Sequence, residues 1–219
     1  MLTTVIFDMD GLLIDSEPLW QEAGMEVMSR FNVKLTTDQY HTSTGLRTRE
    51  WIHHWFTHFG INKVYAVEAE EAIVKKAIEK IAARAMPMPG VQHVLQFFKD
   101  RRFKIGLASS SPMDLINVVV DKLQIRPFIT TLASAEHLLY GKPHPQVFLD
   151  CAEALDALPT ECICFEDSFN GMIAVKAARM KCVVVPDRHQ QQLNKWCIAD
   201  LKLSSLQNFN GLLLDSLEQ

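Results

Sequence analysis

The 219-residue chain has no long hydrophobic run: nothing in it approaches the roughly 20 apolar residues that a membrane-spanning helix needs. It also lacks an excess of charge. Against 26 acidic residues stand 22 basic ones, for a formal net charge of -4. That balance offers no electrostatic footprint for DNA, RNA or an anionic membrane surface, so an anionic substrate has to be held by a local site. Internal repeats and low-complexity segments are missing. The N-terminus has no basic n-region and meets two carboxylates, Asp8 and Asp10, by position ten. A secretory signal is therefore not expected, and a cytoplasmic location is. Cysteine is sparse and unpaired: Cys151, Cys162, Cys164, Cys182 and Cys197 are odd in number and lack the paired C-x₂-C spacing of a zinc site. They read as small buried hydrophobes in a reducing compartment, with Cys162 and Cys164 on one face of a strand. What remains, 48% hydrophobic and 22% charged, is ample for one good-sized core or a core plus a small insert.

Short apolar runs alternate with helical patterns. Thr3 to Phe7, Phe103 to Ala108, Cys162 to Phe165 and Cys182 to Val185 have the length and flanks of strands, with Ile129 to Ala133 a weaker fifth. Between them, Val91, Val94, Leu95 and Phe98 make a helical stripe, and further helices follow Pro112, Pro145 and Asp167-Ser168. This alternation predicts an α/β fold with a parallel, doubly wound, Rossmann-like sheet. The region from 17 to 86 breaks it, with helical patterns only. There Trp51, Ile52, Trp55, Phe56 and Phe59 form a broad apolar stripe closed by Gly60, and a long helix is expected over 64–86. The economical division is a core of 1–16 and 87–219 with a small all-α domain, 17–86, inserted after the first strand.

In open α/β sheets ligands bind at the carboxyl ends of the strands. Four polar clusters fall there: Asp8-Met9-Asp10-Gly11, Ser109-Ser110-Ser111, Gly141-Lys142-Pro143, and Glu166-Asp167-Ser168. Four carboxylates (Asp8, Asp10, Glu166, Asp167) converging on one crevice require a cation, and oxygen-only ligation points to a hard divalent ion, Mg2+ by preference. Hydroxyls and N–H groups at Ser109 and Ser110 suit a phosphoryl group, and Lys142 supplies a point charge for the same anion. Any one of these clusters alone is more commonly a turn or a helix cap. Their occurrence in order, each at a strand end, gives them weight.

The set Val5 to Gly11, Leu107-Ala108-Ser109, Gly141-Lys142-Pro143 and Phe165 to Ser168 resembles the four motifs of the haloacid dehalogenase-like superfamily across nearly the whole chain. The helical insert is similar to that superfamily's small α-helical cap. Within it, the sequence looks most like the hexitol and 2-deoxyglucose-6-phosphate phosphatases of the β-phosphoglucomutase-like group. The resemblance implies Asp8 as nucleophile forming an aspartyl-phosphate and Asp10 as general acid and base. It implies Ser109, Ser110 and Lys142 as the groups holding the transferring phosphoryl oxygens. Asp8, the Asp10 carbonyl, Asp167 and Glu166 would ligate Mg2+. The implied activity is hydrolysis of small phosphate monoesters of sugars or polyols, by an enzyme expected to be monomeric. Glu17, Trp20 and Arg47 are the residues expected to reach the substrate from the helical insert.

Alternatives within the resemblance separate on single residues. Dehalogenases expel halide and have no use for Asp10. Phosphonatases need a Schiff-base lysine that the helix from Glu17 to Phe31 does not carry, and transport ATPases need membrane spans. A sugar-phosphate mutase is the closest alternative, although such mutases present a histidine near the position of Trp20. A catalytically silent binding protein would be signalled by loss of Asp8, Asp10, Lys142 or Asp167, and all are present. His54 and His58, four apart on a helix, lack companion ligands and read as half-exposed helix residues. The Trp51–Phe59 stripe reads either as core of the insert or as an association surface.

Overall fold

The computed structural model describes residues 1–43 and 45–218. Six strands form one sheet: β1 (Thr4–Phe7), β2 (Lys104–Ser109), β3 (Thr131–Ser134), β4 (Cys162–Glu166), β5 (Lys181–Val184) and β6 (Leu201–Lys202). All neighbouring pairs are parallel, in the order β3-β2-β1-β4-β5-β6. The chain therefore has the expected Rossmann-like architecture, with β1 central and the winding reversing on either side of it. The two-residue edge strand β6 extends the sheet beyond the strands legible in the sequence.

Strand side chains alternate between two buried layers, as the pleat requires. Val5 and Phe7 point into one, with Ile163 and Phe165; Ile6 points into the other, with Cys162 and Cys164. The first layer is completed by α5 (Val91–Asp100), α6 (Met113–Lys122) and α9 (Gly211–Leu217), the second by α7 (Gln146–Ala154) and α8 (Phe169–Ala177). Phe7 and Phe165 stack at 5.0 Å between ring centroids, directly behind Asp8 and Glu166. Each fully buried aromatic of this kind contributes on the order of 1.5–3 kcal/mol, so the rings anchor the strand ends that carry the acidic residues. The role expected of the five cysteines holds for Cys162, Cys164 and Cys182 on strands and for Cys151 on α7, all buried free thiols; Cys197 is exposed instead.

Among the described residues between β1 and α5 there are four α-helices and no strand: α1 (Glu17–Ser29), α2 (Thr37–His41), α3 (Thr48–Phe59) and α4 (Ala66–Arg84). The Ala/Glu/Lys-rich stretch favours helix by propensity, and its buried stripe of Ala69, Ile73, Ala77 and Ile81 packs toward α1 and α3. Gly60 ends α3 in the left-handed conformation, φ 66°. The aromatic stripe of α3 is core for Trp51, Ile52, Trp55 and Phe56, whereas Phe59 is exposed, as are His54 and His58. Outgoing and returning connections are tied to each other: Asp15 N–H donates to the Met86 carbonyl at 2.9 Å and Met88 N–H to the Leu13 carbonyl at 3.0 Å. No described helix is long and apolar enough to cross a membrane.

Candidate active site

The carboxyl ends of β1, β2 and β4 lie side by side because Phe7 is in register with Leu107 on one side and Phe165 on the other. Asp8, Ser109 and Glu166 are thereby brought to one edge of the sheet. Lys142 arrives from the loop before α7. It is buried, and its Nζ donates to Asp8 Oδ1 at 2.5 Å, to Glu166 Oε1 at 2.6 Å and to the Ala108 carbonyl at 3.2 Å. Its Nζ also lies 4.7 Å from the centroid of the Phe148 ring. Burial works against the charge on Lys142, but Asp8 and Glu166 outweigh it and hold the ammonium above its ordinary range. One cation is thus shared between two buried carboxylates.

Glu166 is committed at both oxygens. While Oε1 accepts from Lys142, Oε2 accepts from the N–H groups of Asp167 and Ser168 and from the Ser168 hydroxyl, at 2.9–3.0 Å. A side chain at Gly171 would occupy the same space, with a Cβ 1.8 Å from Oε1. These bonds orient Lys142 and the start of α8, and they leave Glu166, an expected metal ligand, within the acidic cluster. The expected metal site is acidic and oxygen-only: ligand atoms of Asp8, Glu166 and Asp167 lie within 4.8 Å of one another. Burial first, then the neighbouring carboxylates, push the Asp8 and Asp167 carboxyls well above the usual carboxylate range, with Lys142 offsetting only part. A site in which anions destabilise one another around a single lysine suits a hard divalent cation. Gly11 lets Asp167 approach the β1 loop: its φ is 74°, and an added Cβ would lie 2.2 Å from Asp167 Oδ2.

Asp10 is held differently. Its Oδ1 accepts from the Ser16 hydroxyl at 2.7 Å and from Trp20 Nε1 at 2.9 Å; its Oδ2 accepts from Ser111 at 2.7 Å and from Ser109 at 3.4 Å. Ser16, which follows Asp15, and Ser111, the third member of the strand-end serine triplet, are therefore site residues to which the sequence alone assigns no role. Trp20, expected at the substrate, does line the cavity, and it also orients Asp10. The Ser110 hydroxyl donates to the Gly45 carbonyl at 3.3 Å and so touches the segment preceding α3.

Over these groups lies a cavity walled by both the sheet edge and the helical segment. Asp8, Asp10, Ser109, Ser110, Lys142 and Asp167 line it from below. Glu17, Trp20, Tyr40, Trp51 and Ile73 line it from α1, α2, α3 and α4. Burial and nearby Asp10, Asp15 and Asp187 raise the Glu17 carboxyl to about 8. Arg47, expected at the substrate, is not among the residues of this wall and lines a neighbouring cavity with Ser110. Its Nη1 donates to the Ala135 carbonyl at 3.0 Å and to that of Leu138, and its Nη2 to the Leu139 carbonyl at 3.2 Å and Glu50 Oε1 at 2.7 Å. Glu50 Oε1 in turn accepts from Gly141 N–H at 3.0 Å. The pair fastens the start of α3 to the loop that delivers Lys142. Sequence alone offers no sign that those carbonyls stand opposite Arg47.

The chain matches the family described as "Haloacid dehalogenase-like hydrolase" over residues 5–185. It is 41% identical over 206 residues to hexitol phosphatase B of Escherichia coli strain K12, covering 94% of this chain and 93% of that one. It is 29% identical over 184 residues to a phosphorylated carbohydrates phosphatase of Thermotoga maritima, covering 81% and 82%. Among solved structures, a β-phosphoglucomutase from Clostridium difficile superposes with a TM-score of 0.88 at 24% identity, covering 100% of this chain and 98% of that one.

Proposed function

Since the chain belongs to the haloacid dehalogenase-like hydrolases, we propose that it is a Mg2+-dependent phosphatase that hydrolyses small sugar or hexitol phosphates through an aspartyl-phosphate on Asp8. The observation that carries this reading is the division of labour between the two aspartates. Asp8 sits against Lys142 at the acidic cluster, while Asp10 is held two residues away by hydroxyls and an indole. The 41% identity to a hexitol phosphatase supports the substrate class. We propose also that residues 17–86 act as a cap over a core formed by 1–16 and 87–219.

Asp8, Asp167 and the Asp10 carbonyl would hold Mg2+, which supplies charge neutralisation between the incoming phosphate and the carboxylates. The protein does the rest. Lys142 and the Ser109–Ser110 hydroxyls and N–H groups bind the phosphoryl oxygens and align the ester for in-line attack. Asp8 attacks phosphorus, forming an Asp8–phosphorus bond as the bond to the leaving oxygen breaks. Asp10, protonated at this stage, gives its proton to the departing alkoxide. The proton rides on Oδ2, because the Oδ1 partner Trp20 Nε1 only donates, whereas the Ser109 and Ser111 hydroxyls at Oδ2 turn to accept. Water then attacks phosphorus and returns a proton to Asp10, releasing phosphate and regenerating Asp8. General acid–base help of this kind is worth about 10²- to 10⁴-fold.

A screen of the purified protein against phosphorylated sugars and hexitols, with product identified, tests the reading. Free phosphate with a dephosphorylated sugar or hexitol is the expected product. An isomerised sugar phosphate would make the enzyme a mutase instead.

A further inference from the structure

Two polar side chains of the residues lining the cavity, those of Trp51 and Glu17, have no hydrogen bond among the described residues. The chain has four tryptophans, and three of their indole N–H groups are paired: Trp20 with Asp10, Trp55 with the Ser43 hydroxyl at 3.2 Å, and Trp196 with the Gln190 carbonyl at 2.7 Å. The fourth differs. Trp51 is 7% exposed and lines the cavity, yet its Nε1 has no hydrogen-bond partner among the described residues. Buried N–H groups are so regularly paired that an orphan at the wall of a cavity calls for a partner from outside the chain. The Glu17 carboxyl lines the same cavity and likewise has no hydrogen bond among the described residues.

Their placement follows from α1. Glu17, Trp20 and Gly24 recur at i, i+3 and i+7, one stripe of the helix running about 10 Å along its axis. At Gly24 an added Cβ would lie 3.1 Å from Cη2 of Trp51, so the missing side chain is what lets that ring lie against α1 at the cavity wall. The resulting wall combines the Glu17 carboxyl, the side chains of Trp20 and Trp51, and Ile73. Such a wall matches an uncharged carbon chain bearing hydroxyls. It does not match a second phosphate or carboxylate, for which the cavity lining offers no cation beyond Lys142.

We propose that Trp51 is a specificity-determining residue, its Nε1 donating to a hydroxyl of the leaving group while Glu17 bonds a second one, so that the enzyme selects polyhydroxylated monophosphates. This deepens, and rests on, the phosphatase reading above. Trp51→Phe removes the N–H and keeps an aromatic ring. It should lower kcat/KM for sorbitol 6-phosphate by about tenfold and leave p-nitrophenyl phosphate within about twofold of the unsubstituted enzyme. Parallel losses on both substrates, or none, would overturn the assignment of Trp51. A second measurement does not depend on that variant folding. In ¹⁵N-indole spectra of Asp8→Asn protein with Mg2+, sorbitol 6-phosphate should move the Trp51 resonance and inorganic phosphate should not. The resonance is identified by elimination with Trp20→Phe, Trp55→Phe and Trp196→Phe. Equal response to both ligands would overturn the proposal. Hydrolysis of p-nitrophenyl phosphate but of no sugar or hexitol phosphate by the unsubstituted enzyme would be a different result, removing the substrate class itself.

Discussion

Lys142→Met is the substitution whose effect the geometry constrains most tightly. Methionine keeps most of the length of the stem and its contact with Phe148 but removes the ammonium that lies 2.5 Å from Asp8 and 2.6 Å from Glu166. Both carboxylates are buried, with side-chain exposures of 8% and 0%, so neither is rescued by solvent. Breaking a buried ion pair from one side costs about 3–5 kcal/mol, because the surviving charge is left uncompensated. Here one cation serves two anions, which places the expected loss near the upper end, about 4–5 kcal/mol, out of a total of about 5–15 kcal/mol for a typical domain. At a urea slope of about 2 kcal/mol per molar, the unfolding midpoint of EDTA-treated protein falls by about 2 M. The companion variant Lys142→Met/Glu166→Gln removes one orphaned charge while keeping an acceptor for the Asp167 and Ser168 N–H groups, and should recover about half of that loss without recovering activity. A midpoint for Lys142→Met within about 0.3 M of the unsubstituted protein would refute the shared-cation account. So would a double variant no more stable than the single.

Three further outcomes are expected. Asp10→Asn lowers kcat/KM at least about 10²-fold on alkyl phosphates and markedly less on aryl phosphates, whose leaving groups depart without a proton; equal losses in steady-state assays on both classes would remove Asp10 from the acid role. Arg47→Ala, which releases the Ala135, Leu138 and Leu139 carbonyls, lowers kcat/KM by about tenfold on hexitol and aryl phosphates alike, because the arginine holds the Lys142 loop and not the substrate. Selective loss on the hexitol ester would put its guanidinium at the leaving group. EDTA abolishes turnover and Mg2+ restores it, as the oxygen-only donor set requires; restoration by Zn2+ alone would contradict that argument.

The core of this fold was readable because its signals are local. β1, β2, β4 and β5 are short apolar runs ending in polar residues, and the helices between them carry their own caps and stripes. The parts that were not read are those whose stability comes from neighbours. β6 is two residues that pair only because β5 offers an open edge. α2 is a five-residue helix whose Thr36–Gln39 capping box was a usable signal, and α9 follows Asn210, whose side chain accepts from Leu213 N–H. At the site, strand-end position was enough to nominate Asp8, Asp10, Ser109, Lys142 and Asp167. It was not enough to say which partner each oxygen takes. Glu166 reads as a ligand by its charge, and it does stand in the acidic cluster, but its bonds to Lys142 and the α8 N-terminus were not legible. Arg47 reads as a substrate group for the same reason, and its bonds to carbonyls 88 or more residues away were not legible. Trp51 reads as part of an apolar stripe, and only three dimensions reveal that its nitrogen alone among the four indoles lacks a partner in the described chain.

The covalent intermediate on Asp8 is the claim on which the functional account turns. The most direct test is to mix the Mg2+-loaded enzyme with excess sorbitol 6-phosphate, quench in acid on the millisecond scale, and sequence the proteolytic fragments by mass spectrometry. The account predicts one phosphoryl group on the peptide containing Asp8, localised to that side chain and absent from Asp8→Asn protein. A phosphoryl group on another residue, or none while the burst of released sorbitol is present, would contradict it.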